Sequence, residues 1–186
     1  TCDVAIIGSG AGAGITAELL TKAGLNVVIV EEGQLKSSTD FKQKEPEAYA
    51  SLYQENAGRK TKDKGITILQ GRSVGGTTTV NWTSSFHTPP DTLKFWQDKF
   101  GLKDYTTETL APYFQQAQTR LNISPWATSP NENNELLRRG AAKLGIKAEV
   151  IPRNVKGCYN LGSCGMGCPT NAKQSMLVTT IPFALD

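Results

Sequence analysis

Asp3-Val4-Ala5-Ile6-Ile7 is a short apolar, β-branched run, which predicts a buried strand. It runs into the small-residue segment Gly8-Ser9-Gly10-Ala11-Gly12-Ala13-Gly14. Ile15, Leu19, Leu20 and Ala23 then recur at helical spacing, with Gly24 as a natural helix stop. Val27 to Val30 predicts a second strand, closed by Glu31-Glu32-Gly33. Strand, helix and strand in about thirty residues predict a parallel βαβ unit.

Beyond it the pattern changes. The stretch 36–64 is polar, with one short helix predicted around 47–55. Its basic run Arg59-Lys60-Thr61-Lys62-Asp63-Lys64 reads as a solvated loop rather than a binding patch. Ile66 to Leu69 predicts a strand. Amphipathic helices are predicted over 91–100, 107–121 and 133–144, punctuated by Gly101, Pro125, Pro130 and Gly145. A Gly/Cys loop spans 157–169, and 171–185 reads as a helix weakened by Thr179-Thr180 and Pro182.

Composition narrows the function classes. The 186 residues carry 20 Lys+Arg and 17 Asp+Glu, a net charge of +3, too mild for a nucleic-acid surface. At 38% hydrophobic and 20% charged the chain reads as globular. No apolar run approaches the roughly 20 residues that span a bilayer, so no transmembrane segment is expected. Reduced thiols would suit a reducing cytoplasm, and a cytoplasmic or peripheral-membrane location is expected. The single histidine, His87, excludes multi-His metal sites, so no metal site is expected.

The first glycine run carries the clearest chemistry. A chain that leaves a strand, reverses quickly and admits a phosphate against its backbone has no room for a Cβ, hence Gly8 and Gly10. The helix beginning near Ala11 turns its unpaired N–H groups toward the pyrophosphate. The fingerprint G-x-G-x-x-G/A is met by Gly8, Gly10 and Ala13, with Ser9 and Gly12 inside the same turn. Small residues at Gly12, Ala13 and Gly14 are expected to let the helix pack close to the strand. Glu31 follows Gly10 by 21 residues, where a carboxylate accepts from an adenosine ribose and repels a 2′-phosphate. Glu32 reads as merely solvated. This unit alone leaves NAD and FAD open.

Gly71-Arg72-Ser73-Val74-Gly75-Gly76-Thr77-Thr78-Thr79-Val80-Asn81 separates the two. The segment resembles the FAD-contact signature of the glucose–methanol–choline (GMC) oxidoreductases, G-R-x-x-G-G-[ST]-[ST]-x-x-N. The first βαβ unit and Glu31 match that family too, and the form of the first turn is similar to its cholesterol-oxidase branch. The residues make sense by themselves: Gly75-Gly76 lets backbone pass a flat ring or pyrophosphate, Thr77 and Thr78 offer hydroxyls, and Asn81 offers donor and acceptor. The resemblance implies an α/β, Rossmann-type FAD-binding region with additional helices. In it Arg72, Gly75, Gly76, Thr77 and Asn81 line the flavin–pyrophosphate region. Some choline-oxidising members bind FAD covalently through a His just before this Asn; here Val80 stands there, so non-covalent FAD is expected. Asn81-Trp82-Thr83 also fits a glycosylation sequon, discounted because a flavin-facing Asn is inaccessible.

The resemblance further implies oxidation of a small-molecule alcohol, with hydride passing to flavin N5 and electrons then to O2 or another acceptor. The family's catalytic base is a His in a C-terminal part that residues 1–186 do not match. The chain is therefore expected to be an N-terminal FAD-binding region, inactive alone, with no catalytic residue assigned and His87 read as an ordinary loop histidine. The remaining alternatives are a non-catalytic flavin-binding module and an NAD-dependent Rossmann oxidoreductase.

Cys158, Cys164 and Cys168-Pro169 fit the ferredoxin pattern C-x2-C-x2-C-x3-C-P with Leu161 in place of its second Cys. Some sugar-oxidising GMC relatives carry an iron–sulfur cluster near this region, with a different Cys spacing. Cluster, local disulfide and free thiols in a Gly-rich loop all remain open. Asn171-Ala172-Lys173-Gln174-Ser175-Met176 resembles a GMC subgroup that includes long-chain alcohol oxidases, which points to apolar alcohols.

Overall fold

A computed structural model describes residues 1–185. The predicted βαβ unit is present: strand β1 (Val4–Ile7), helix α1 (Ala11–Lys22) and strand β2 (Val27–Val30). The strands run parallel in the register Val4↔Val27 to Ile7↔Val30. Gly24, at φ +83°, ends α1 as expected.

The strands are not buried on both faces. Parallel strands normally lie between two helical layers, but here α1 covers one face only. Ile7, Val28 and Val30 on the other face are 82%, 44% and 55% exposed. The expectation of buried strands is corrected accordingly.

Helix α1 does pack closely, though on a different partner from the one expected. A Cβ at Gly14 would lie 2.5 Å from Thr180 Oγ1 and 2.8 Å from Met176 Sδ. The small residue at 14 thus admits the segment leading into helix α6 (Thr180–Leu185) rather than the strand. Glu18 is buried beneath this contact. Its carboxylate takes Lys22 Nζ at 2.8 Å and Arg120 Nε at 2.8 Å to both oxygens, while Arg120 Nη2 donates to Thr179 O. Burial alone would raise the Glu18 pKa; the bonds from Lys22 and Arg120 outweigh it and hold the carboxyl low.

The remaining helices are α2 (Glu45–Leu52), α3 (Pro90–Phe100), α4 (Thr107–Arg120) and α5 (Glu132–Lys143). Helix α2 ends before the predicted 55 because Tyr53 turns extended, at φ −121° and ψ 149°, and Glu55 and Asn56 beyond it take left-handed backbone. A small antiparallel pair, β3 (Ile123–Pro125) and β4 (Pro152–Asn154), joins the ends of the α5 excursion. Phe41, Ala48, Leu52, Tyr53 and Val80 form a core under the second glycine motif. Among the described residues no helix is long and apolar enough to cross a membrane.

One predicted element is absent and another is shortened to Thr180–Leu185. Ile66–Leu69 forms a bridge, Lys60 with Thr67, not a strand. Two backbone bonds, Thr61 N–Ile66 O and Ile68 N–Arg59 O, hold a tight loop that offers no continuous ladder. Residues 171–179 are not helical. This chain runs alongside β4, with Lys156 N donating to Ala172 O at 2.8 Å and Gln174 N to Asn154 O at 2.9 Å. These bonds to a neighbouring segment replace the local ladder of a helix, whose i→i−4 pattern starts only at the end of this stretch.

Candidate functional site

The turn after β1 begins with Gly8 at φ +85°, its N–H donating to Val30 O at 2.7 Å. The sharp reversal is therefore tied to the end of β2, in a conformation that an L side chain resists. No heavy atom lies within 4 Å of a Cβ built on Gly8, Gly10 or Gly12. The three glycines face open space. Helix α1 starts there with no side-chain cap and no acid in its first turn, so its leading N–H groups keep their capacity for an anion. Ala13, the last fingerprint position, is half-buried in the same turn.

Ser9 and Glu31 serve the turn itself. Buried Ser9 donates to Glu31 Oε2 from its backbone N (2.8 Å) and from Oγ (2.6 Å), while Gly33 N donates to Oε1 at 2.7 Å. Three of about four acceptor positions of the carboxylate are used, leaving one for a ribose hydroxyl.

Gly75 and Gly76 bring the second motif onto the first. Gly75 N donates to Ser9 Oγ at 3.0 Å, and a Cβ at Gly76 would lie 2.9 Å from Gly10 Cα. Both glycines have positive φ, +87° and +54°, and open the 3-10 turn Gly76–Thr79. Two sequence motifs over sixty residues apart thus cross backbone to backbone.

The flanking side chains divide. Thr77 Oγ1 accepts from Gly71 N at 3.0 Å and keeps its proton for a ligand. Asn81 Oδ1 accepts from Thr83 N at 3.2 Å, leaving the amide NH2 to donate. Thr78 is fully engaged instead: its hydroxyl donates to Gly75 O and accepts from Met176 N. Arg72 turns to Glu32, Nε to Oε2 at 3.2 Å, and Gln54 bonds the same carboxylate, so Glu32 is paired rather than merely solvated. Val80 is buried in the core and carries no group that could bond a cofactor. His87 is exposed and stacks on Phe114 of α4, centroids 4.5 Å apart.

Sequence reasoning missed Lys173, which is 2% exposed. Its ammonium donates to Thr79 O at 2.9 Å, Asn81 O at 2.7 Å and Cys164 O at 2.7 Å. It fastens the Cys loop to the end of the second glycine motif. A lysine inside a run read as helix gives no local signal of burial. The four cysteines are free, and among the described residues no three His, Cys, Asp or Glu side chains are gathered to hold a metal ion.

The open cradle over Gly8, Gly10 and Gly12, the uncapped helix above it and the glycine crossing fit a pyrophosphate-containing dinucleotide. The comparisons agree. Over 185 residues the chain is 32% identical to a long-chain-alcohol oxidase of Arabidopsis thaliana, covering 100% of this chain and 24% of that protein. It is 35% identical over 185 residues to an uncharacterized GMC-type oxidoreductase of Mycobacterium tuberculosis (98% and 29% covered). It is 26% identical over 215 residues to a cholesterol oxidase of Mycobacterium tuberculosis (98% and 37%). The chain spans about a quarter of the length of the plant relatives it matches. An FAD-dependent oxidoreductase from Chaetomium thermophilum has the same fold, with TM-score 0.61 at 16% identity over 90% of this chain and 38% of that one. Residues 49–186 match the family described as GMC oxidoreductase, and the chain with its crossed glycine turns belongs to that family of FAD-dependent flavoproteins.

Proposed function

We propose that residues 1–186 form the N-terminal, FAD-binding part of an oxidoreductase that oxidises the CH–OH group of an apolar alcohol. The observation that carries this is the crossing of Gly76 over Gly10 beneath an open, uncapped helix N-terminus. The chemistry FAD supplies when bound is acceptance, at flavin N5, of the hydride leaving the alcohol carbon. The residues of this chain hold and orient it. Gly8, Gly10, Gly12 and Ala13 admit the pyrophosphate to the N–H groups of α1. Glu31, held by Ser9 and Gly33, accepts a ribose hydroxyl on its remaining lone pair. Thr77 and the Asn81 amide donate to the cofactor beyond Gly75 and Gly76. Arg72 lies at the margin of this site, where its bond to Glu32 ties the second motif to the end of β2. Val80 offers no attachment point before Asn81, which supports non-covalent binding.

The choice of an apolar alcohol is supported by the similarity to proteins named long-chain-alcohol oxidases. The exposed apolar face of β1 and β2 supports placing further sheet or helix against it in the whole protein. O2 or another acceptor would take the electrons afterwards. The test is a visible spectrum of the full-length protein before and after anaerobic addition of a medium-chain alcohol. A two-banded flavin spectrum that bleaches is the expected result. A flavin band that no alcohol bleaches would overturn the alcohol reading. Lack of flavin even after adding FAD would overturn the cofactor assignment to these residues.

A further inference from the structure

Cys158, Cys164 and Cys168 come together in the wall of one cavity of about 140 Å³, alongside Trp82, Arg153 and Thr170. The cavity is smaller than the roughly 300–1,000 Å³ of ordinary ligand pockets. Among the described residues Arg153 is the one charged side chain in its wall, and no carboxylate lines it. Arg153 Nη2 donates to Cys164 Sγ at 3.5 Å. Lys173 is joined to Cys168 by its backbone N–H, and its ammonium donates to the carbonyls of Thr79, Asn81 and Cys164. The ionisable groups that act on that ammonium are Cys164, Cys168 and Arg153. A buried cation without a counter-anion is costly, and the acids facing this one are thiols. Burial draws the Lys173 pKa down to about 8.

Cys168 has the strongest hydrogen-bond support for the thiolate form. Its Sγ accepts from Lys173 N at 3.5 Å and bonds Thr170 Oγ1 at 3.4 Å. Burial would raise this thiol, but the Thr170 hydroxyl and the backbone N–H groups of Lys173, Thr170 and Ala172 outweigh it and hold it below the ordinary value. Cys158 Sγ receives a single backbone N–H, Asn160 N at 3.4 Å, against the hydroxyl and backbone N–H that reach Cys168, while Arg153 donates to Cys164. Half-exposed thiols in such electropositive settings are the nucleophilic ones.

The geometry points to Cys168 as a peroxide-reactive thiol, a redox-modification site beside the flavin region and independent of the alcohol reading. The thiolate sulfur attacks one oxygen of hydrogen peroxide and the O–O bond breaks. Cys168 becomes a sulfenic acid, oxidised by two electrons, and the other oxygen leaves as hydroxide, which takes a proton to give water. Arg153, in the same wall, is placed to stabilise the departing oxygen. The product replaces an anion facing Lys173 with a neutral group. Since Lys173 holds the carbonyls of Thr79 and Asn81, the change reaches the second glycine motif.

The test exposes the full-length protein, with its flavin absorbance recorded first, to hydrogen peroxide and dimedone at neutral pH. Labelled cysteines are then mapped by mass spectrometry. Cys2, exposed two residues before β1, is the internal reference. Cys168 is expected to be labelled about tenfold faster than Cys2. Arg153→Gln is expected to slow Cys168 and leave Cys2 unchanged, and Lys173→Met, if folded by circular dichroism, to do the same. Fastest labelling at any other cysteine overturns the proposal. So does an unchanged Cys168 rate in folded Arg153→Gln.

Discussion

The crossed glycine turns and the cysteine loop meet at the second glycine motif, and they are built by opposite means. The turns use backbone and empty space. Gly8, Gly10 and Gly12 present nothing to a neighbour, Gly76 rests on Gly10, and Glu31 accepts three hydrogen bonds from Ser9 and Gly33. The cysteine loop uses buried charge. Lys173, almost without solvent contact, gathers three carbonyls from two distant segments. A site made of absent side chains is specific for what fills the space. A site made of one buried cation is specific for what balances it. The first kind tolerates any change that leaves the space and φ intact; the second fails when one atom is removed.

That contrast can be broken in three places. Lys173→Met should have the largest effect. It strands the carbonyls of Thr79, Asn81 and Cys164, and hydrogen bonds to a charged donor contribute about 1.5–3 kcal/mol each. A loss of about 4 kcal/mol in urea unfolding is expected, and a loss under 1 kcal/mol would mean that the loop is held by something else. Gly76→Ala comes next. A left-handed backbone costs a side chain about 1–2 kcal/mol, and here the added carbon would also meet Gly10 Cα at 2.9 Å. The expected outcome is a destabilisation of about 2 kcal/mol with flavin lost on gel filtration. Retention of stoichiometric flavin would show that the crossing is not needed for binding. Gly12→Ala has the smallest stability effect and the opposite sign. The position is helical and open, so alanine should stabilise by roughly 0.5–1 kcal/mol. Flavin affinity should nevertheless fall, because the added methyl enters the space assigned to pyrophosphate. A stabilised variant with unchanged FAD affinity would move the pyrophosphate elsewhere.

Legibility followed the range of the interactions. The βαβ unit could be read because each part is local: β-branched runs, helical spacing, and glycine where φ must be positive, as at Gly8. The bounds of α3, α4 and α5 came within a residue or so for the same reason. Ile66–Leu69 has strand composition, but no strand lies beside it to complete a ladder. Residues 171–179 carry a helical pattern, yet the edge of β4 offered backbone partners. Gly14 was recognised as a close-packing residue and assigned the wrong neighbour, since a missing Cβ states that something approaches and not what does.

By itself the sequence determined the glycine turn after the first strand, the acid after the second strand, the second glycine signature and the family they resemble, because those rest on φ, on Cβ volume and on short spacings. Only the tertiary structure decided that Gly76 sits on Gly10, that Ser9 faces Glu31 and Gly75, and that Lys173 joins the cysteines to Asn81. These are contacts between residues far apart in the chain, and they exist only once burial has paired groups that carry no mark of each other in the sequence.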